Sequence, residues 1–376
     1  METRTYKNTN EKISILGYGN MRLPRINPEK QDIDEQAAQA LIDYAYAHGV
    51  NYYDTAYVYH EQKSESFVGR ALSKYPRESY YIATKMPGWL VKSMDDVDRM
   101  FNEQLARLQT DYIDFYLCHS LSAGGYKIYE QVDIYGYLKK KKEEGAIRHL
   151  GFSFHDKPEV LEQILDKHEW DFVQIQLNYL DWELQDAKRQ YEILAERGIP
   201  CIVMEPVRGG ALARLCDESV SILKEAAPDK SVASWAIRYA ASLPNVLTVL
   251  SGMSTMEQVV DNVNTVTGFA PLSDAERETL SHALAAFRRN KLQPCTGCRY
   301  CMDCPSGVDI PLMFSIYNSY RLNEHKAGFL KAYEEAGSKQ AKNCIQCGQC
   351  ATHCPQSIEI PDRMQEIAAL AEELGK

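Results

Sequence analysis

Two short cysteine runs near the C-terminus have the residue types and spacing for chemistry. One reads Cys295-x2-Cys298-x2-Cys301-x2-Cys304 and is followed by Pro305. The other reads Cys344-x2-Cys347-x2-Cys350-x3-Cys354 and is followed by Pro355. Four thiolates in so short a stretch repel one another unless a metal centre neutralises them. The second run has iron–sulfur ligand spacing, and two [4Fe–4S] clusters are expected. Zinc is the weaker reading, because its sites usually draw two cysteine pairs from separated positions. His353 reads as an exposed loop histidine. Cys118, Cys201 and Cys216 lie among apolar residues and read as small buried hydrophobes.

A second set of polar residues is scattered over the first third of the chain. Asp54, Lys85 and His119 each end an apolar, β-rich run, and Tyr59 follows Asp54 by five residues. Singly, each has an ordinary reading as a turn cap, a surface lysine, a core histidine or one tyrosine among 24. Together they are more specific. A lysine ending YYIATK and a histidine ending YIDFYLCH are expected to be buried, and a buried ammonium needs a counter-charge such as Asp54. An ammonium beside a phenol stabilises the phenolate, which prepares Tyr59 to donate a proton.

These residues need a frame that brings strand ends together. Runs rich in Val, Ile, Tyr and Phe occur at 13–19, 50–54, 79–85, 112–119, 147–153, 172–178, 199–205 and 246–252. Several are continuously apolar, as parallel strands covered on both faces are. Between them, 33–48, 93–108, 127–144, 157–168, 183–197 and 255–267 have helical periodicity, and Gly49, Gly145 and Gly198 mark stops. Eight β–α units predict an α/β fold of the (β/α)8 TIM-barrel type, with its site at the C-terminal strand ends. An open doubly wound sheet is the alternative, disfavoured by the missing G-x-G-x-x-G. The last barrel helix is expected over 273–290, and 291–294 reads as a linker. The expected domains are therefore 1–290 and 291–376. The second carries both cysteine runs, helical stretches at about 311–340 and from 361 onward, and is mainly helical.

Composition narrows the function classes. A net charge of −10 argues against nucleic acid and gives no basic footprint for a membrane surface. No apolar run approaches the roughly 20 residues of a membrane span. The polar stretch 1–12 lacks the layout of a signal peptide, so clustered thiols are expected in a reducing cytoplasm.

Eight stretches carry a family resemblance: GYGNMRLP (17–24), DTAYVYHEQKSE (54–65), IATK (82–85), YLCHS (116–120), GFSFHD (151–156), QIQLNY (174–179), MEPVRGG (204–210) and SGMSTMEQVVDN (251–262). In order and across the whole barrel, they resemble the aldo-keto reductases. The extension beginning CTGCRYCMDCPSGVDIP resembles the branch with a ferredoxin-type C-terminal domain. The resemblance implies an NAD(P)-dependent enzyme that reduces a small aldehyde or ketone. It assigns Tyr59 as general acid, Lys85 held by Asp54 as its tuner, and His119 as a donor to the substrate oxygen. It implies NADP(H) or NAD(H) held by Gly19, Met21, Ser153, Gln174, Glu205, Pro206, Val207, Gly209, Gly252, Ser254, Gln258 and Asn262. Trp89, Trp182 and the 120–126 loop are expected to border the substrate.

Three positions depart from the common family pattern. Phe154 replaces an Asn, Met204 replaces the tyrosine that stacks on nicotinamide, and Gly252 with Gln258 replace a Lys and Arg that grip a 2′-phosphate. The ferredoxin likeness further implies exchanged fourth ligands. Cys295, Cys298, Cys301 and Cys354 would hold one cluster, and Cys344, Cys347, Cys350 and Cys304 the other. Because a nicotinamide moves electron pairs and a cluster single electrons, a second reading stands beside the reductase. In it the chain is an electron-transfer protein exchanging electrons with a barrel cofactor or a ferredoxin-like redox partner.

Overall fold

The apolar runs become strands because each can bury both faces at once. The computed structural model describes residues 1–7, 9–27 and 30–376, which divide into two compact units. The first unit comprises Met1–Pro206 and Ser234–Leu272. It opens with an antiparallel hairpin of β1 (Thr3–Thr5) and β2 (Lys12–Ser14). The barrel strands are β3 (Leu16–Gly19), β4 (Tyr52–Asp54), β5 (Tyr81–Met86), β6 (Ile113–Leu121), β7 (Ile147–Phe154), β8 (Phe172–Gln176), β9 (Cys201–Met204) and β10 (Val246–Ser251). They are parallel and close in sequence order, with β10 beside β3. This is the eight-stranded barrel the alternation predicts.

The barrel is filled by side chains. Tyr52, Ala83, Phe115, Phe172, Ile202 and Leu250 form its interior core with Tyr6 and Ile13 of the hairpin region. The Tyr6 hydroxyl donates to the Asp171 carbonyl at 2.9 Å, just before β8, so the hairpin plugs the N-terminal end. Chemistry is thereby confined to the opposite, C-terminal end. The run 13–19 is consequently split, because Ile13 pairs in the hairpin while the barrel strand begins at Leu16.

The barrel unit's helices are α1 (Glu35–Ala47), α2 (Ser64–Leu72), α3 (Met94–Leu108), α4 (Ala123–Gln131), α5 (Ile134–Glu143), α6 (Pro158–Lys167), α7 (Asp181–Leu184) and α8 (Ala187–Glu196). Two expected helices are broken. The stretch 127–144 divides at Asp133, whose φ is 55° and whose carboxylate accepts the Gly136 N–H to start α5. The stretch 183–197 divides at Asp186, with φ 48°. Left-handed single residues turn the chain while the hydrophobic period runs on through them. Helix α2 was not anticipated. Gly69 lets it cross α3 closely, since a Cβ there would collide with the Arg107 carbonyl.

The second unit comprises Val207–Ala233 and Ser273–Lys376. It holds α9 (Asp217–Ala226), the start of α10 (Val232–Ala241), α12 (Asp274–Arg288), α13 (Ile310–Asn323), α14 (Lys326–Glu335), α15 (Gln349–Thr352) and α16 (Ile360–Gly375). Helix α11 (Met256–Val266) belongs to the barrel unit. A Ser273–Glu276 capping box opens α12, and Ser219 of α9 donates to the Ala283 carbonyl of α12 at 2.7 Å. The helix expected to finish the barrel thus packs on α9 in the unit that carries the cysteine runs. The stretch 311–340 is divided at Glu324, with φ 51°. Met313, Phe314, Tyr317, Phe329, Ile360 and Met364 are among the residues of this unit's own core. Among the described residues no helix is long and apolar enough to cross a membrane.

Candidate active site and cysteine loops

Asp54 is the last residue of β4, Lys85 the penultimate residue of β5, and His119 lies late in β6. Tyr59 stands on the loop between β4 and α2. Strand pairing sets Asp54 opposite Ala83 and Lys85 opposite Leu117, so all four groups meet at one end of the barrel. The Lys85 side chain is 1% exposed and that of Asp54 5%. Lys85 Nζ donates to Asp54 Oδ1 at 2.6 Å and to the Thr55 carbonyl at 2.6 Å, and lies 3.3 Å from the Tyr59 hydroxyl. The Tyr59 and His119 rings meet edge to face with centroids 6.0 Å apart. The sequence-predicted quartet is therefore a single constellation.

Neighbours hold it in place. Asn20 Nδ2 donates to the Asp54 carbonyl at 2.9 Å. The Tyr129 hydroxyl accepts the His119 and Gly88 N–H groups at 2.9 and 3.0 Å and donates to the Met86 carbonyl, tying the ends of β5 and β6. Beneath Lys85 lies a buried network that sequence reasoning missed. Glu65 accepts Thr84 Oγ1 at 2.6 Å, Gln104 Nε2 at 2.7 Å and Arg107 Nη1 at 3.2 Å. Gln104 Nε2 also reaches the Lys85 carbonyl at 3.1 Å.

Burial dominates the electrostatics. It pushes the Lys85 ammonium below the ordinary lysine range, opposed by the charge of Asp54. It pushes Asp54 upward, opposed by Lys85. His119 is held well below the usual histidine value by burial first and then by the nearby Lys85 charge. His155, which sequence reasoning gave no role, is pushed down to about 4 by burial and Lys85. Both imidazoles are thus neutral near pH 7. The Trp89 ring is 5.0 Å from His119 and 46% exposed, forming an open aromatic wall. Trp182 packs against Tyr191 and Tyr239.

The residues named for the dinucleotide divide between the two units. Gly19, Met21, Ser153, Gln174, Glu205, Pro206, Gly252, Ser254, Gln258 and Asn262 belong to the barrel unit, and Val207 and Gly209 to the second. Ser153 Oγ accepts the Ser120 N–H at 2.7 Å. Among the described residues Gln174 Oε1 is buried without a hydrogen-bond partner, an acceptor available to a ligand amide. Arg22 forms an ion pair with Glu205 at 2.7 Å and lies alongside Gly252. Ser254 Oγ donates to the Arg22 carbonyl at 2.6 Å, and the Ser254 N–H donates to Gln258 Oε1 at 2.7 Å. Asn262 Nδ2 donates to Ser251 Oγ at 2.8 Å.

None of the eight run cysteines forms a disulfide among the described residues. Among the described residues no three His, Cys, Asp or Glu side chains close on one point as metal ligands. Which thiols are neighbours is nonetheless clear. Burial, then Cys298, Cys295 and Cys354, pushes Cys301 up to about 12. Burial pushes Cys350 up as well, with Cys344, Cys304 and Cys347 adding to it. Each group joins three cysteines of one run to the last cysteine of the other. Cys304, Cys344, Cys347 and Cys350 line one pocket with Ile310, Ile360 and Met364. Thiols gathered against apolar walls suit a group that neutralises them as thiolates. Cys118 and Cys201 are buried as expected, whereas Cys216 is half-buried beside Ser219 Oγ at 3.1 Å.

Known proteins share the barrel, and family models match both parts of the chain. The Aldo/keto reductase family model matches residues 15–285, and the 4Fe-4S dicluster domain model matches residues 294–359. L-galactose dehydrogenase of Arabidopsis thaliana is 28% identical over 307 residues, covering 76% of this chain and 94% of that one. The NADH-specific methylglyoxal reductase of Escherichia coli is 27% identical over 322 residues, covering 74% and 96%. An aldo-keto reductase structure from Bacillus halodurans superposes with a TM-score of 0.62 at 28% identity, covering 75% of this chain and 96% of that one. With the barrel matched almost end to end, this chain is an oxidoreductase belonging to the aldo/keto reductase family, extended by a C-terminal 4Fe-4S dicluster domain.

Proposed function

We propose that the chain reduces a small aldehyde or ketone by hydride transfer, with Tyr59 as general acid. The supporting observation is the Lys85 ammonium fixed between Asp54 Oδ1 and the Tyr59 hydroxyl. Bound NAD(P)H supplies the hydride. Tyr59 protonates the carbonyl oxygen, and Lys85, 3.3 Å from the phenol oxygen, offsets the negative charge left there. Neutral His119 donates a hydrogen bond to the same oxygen and orients the substrate. Asp54 keeps the ammonium charged in a site that burial would otherwise neutralise.

Gln174 and Ser153 suit the nicotinamide amide, and the loops around Gly252 and Pro206 suit the rest of the dinucleotide. Gly252 and Gln258 bring no cation toward a 2′-phosphate, which favours NADH at least equally with NADPH. The E. coli relative's NADH specificity accords with this.

Residues 1–290 carry the reductase chemistry in this reading, and 291–376 hold two [4Fe–4S] clusters. Cys295, Cys298, Cys301 and Cys354 hold one, and Cys344, Cys347, Cys350 and Cys304 the other, following the two groups of neighbouring thiols. The clusters supply one-electron exchange when bound. A reducing, cytoplasmic setting suits so many unpaired thiols.

The test is carbonyl reduction by anaerobically purified protein with NADH and NADPH. Tyr59→Phe should lower turnover by about 10²–10⁴-fold, and an unchanged rate would refute its role. The cysteine groups favour a second reading, in which electrons pass to a redox partner. In that case turnover would depend on an added one-electron carrier and would vanish in Cys347→Ala, whereas the reductase reading expects it to persist.

A further inference from the structure

The segment that follows β9 carries a buried cation that the reductase chemistry does not use. Arg208 is 3% exposed and opens a 3₁₀ segment, Arg208–Ala213, in the second unit. Its Nη2 donates to Gln356 Oε1 at 3.1 Å. Gln356 is itself buried and stands two residues past Cys354. The backbone is left-handed at Arg208, Gly209 and Gly210, with φ of 52°, 61° and 91°. Gly209 lies so close to the Thr296 carbonyl that a Cβ would collide with it, and Thr296 directly follows Cys295. One short segment is therefore pressed against both the chain after Cys295 and the chain after Cys354.

These two cysteines come from different runs yet belong to the same thiol group. The buried Arg208 guanidinium, held by Gln356 just past Cys354 on a segment pressed against Thr296 just past Cys295, stays charged at any working pH.

We propose that Arg208 raises the reduction potential of the cluster held by Cys295, Cys298, Cys301 and Cys354, and fastens the segment after β9 to it. This rests on the two-cluster reading above. Reduction adds one electron to a cluster, and a buried cation nearby favours that added negative charge over the oxidised form. The same contacts fix 207–213, so the segment that continues β9 is ordered by the loops of this cluster.

The test is a mediator-coupled titration of anaerobic holoprotein followed by electron paramagnetic resonance, in wild type, Arg208→Gln and Arg208→Lys. In R208Q one cluster signal should reduce at a more negative potential while the other is unmoved, and R208K should return most of the shift. Both signals unmoved, or both shifted together, overturns the proposal. Iron is counted on the same samples. About eight irons per chain is the expectation, and a wild-type count near four would sink the two-cluster reading instead. If R208Q takes up no iron, loaded and chelator-stripped wild type are compared by hydrogen exchange. Faster exchange at 207–213 than across α12 on stripping supports the proposal, and equal exchange overturns it.

Discussion

Asp54→Asn removes one negative charge while keeping an oxygen where Lys85 Nζ now finds Asp54 Oδ1 at 2.6 Å. Removing one partner of a buried ion pair costs about 3–5 kcal/mol, because the other charge stays uncompensated. Here the ammonium keeps the Thr55 carbonyl at 2.6 Å and the Tyr59 hydroxyl at 3.3 Å, so the low end, about 3 kcal/mol, is expected. Asp54 Oδ2 has no hydrogen-bond partner, so the new amide nitrogen gains none there. The loss should lower the apparent Tm by roughly 5–10 °C, compared at a single scan rate. It should also depend on pH in a stated direction. Without Asp54, burial outweighs the remaining Glu65 charge and lowers the Lys85 value further below 10.5. Between the lowered value and 10.5 the unfolded chain binds more protons than the folded one, so stability rises with pH. The deficit relative to wild type should therefore shrink as pH rises toward 10.5. Turnover should fall by about 10²-fold or more, since the ammonium is pushed toward its neutral form and offsets less of the charge left on the phenol. The double variant Asp54→Leu/Lys85→Met replaces the pair with apolar groups. It should recover most of the stability and none of the activity. An Asp54→Asn protein as stable and active as wild type would refute the reasoning, as would a double variant no more stable than the single.

Neither His119 nor His155 should titrate in the working range, because burial and the Lys85 charge lower both. The kcat/KM profile is therefore expected to be free of a histidine inflection between about pH 6 and 8, and one that disappears in His119→Gln would contradict this. Gln258→Arg should lower the KM for NADPH about tenfold and leave that for NADH nearly unchanged, as read from initial rates with each nucleotide. The exchanged fourth cysteines predict paired spectra. Cys354→Ala should lose the same cluster signal as Cys298→Ala, and Cys304→Ala the same as Cys347→Ala. If Cys354→Ala matched Cys347→Ala, each run would serve its own cluster.

The barrel is legible because its strands are buried on both faces and read as near-continuous apolar runs such as 82–86 and 113–119. Helix breaks are not, since Asp133, Asp186 and Glu324 each turn the chain at one residue without disturbing the hydrophobic period. The quartet was legible because Lys85 and His119 end strands that bury whatever they carry. Glu65 was not, because the helix α2 that buries its carboxylate carries no start signal that marks it in the sequence.

The cysteine runs show the limit of local spacing most clearly. Spacing alone gives four thiols per run, and only the ferredoxin likeness implies that the fourth ligands are exchanged between runs. The distance that matters is thus set by the segment between the runs, residues 305–343, which folds into α13 and α14. Ile310 and Met364, which line the pocket beside Cys304 and Cys350, also belong to the core on which α13 and α16 pack. Neither thiol group can therefore assemble before that core does, and a metal centre bound there stabilises the core in return. On the proposed exchange of fourth ligands, Cys304 serves the other run, so its two-residue spacing from Cys301 is free to differ from the three residues before Cys354.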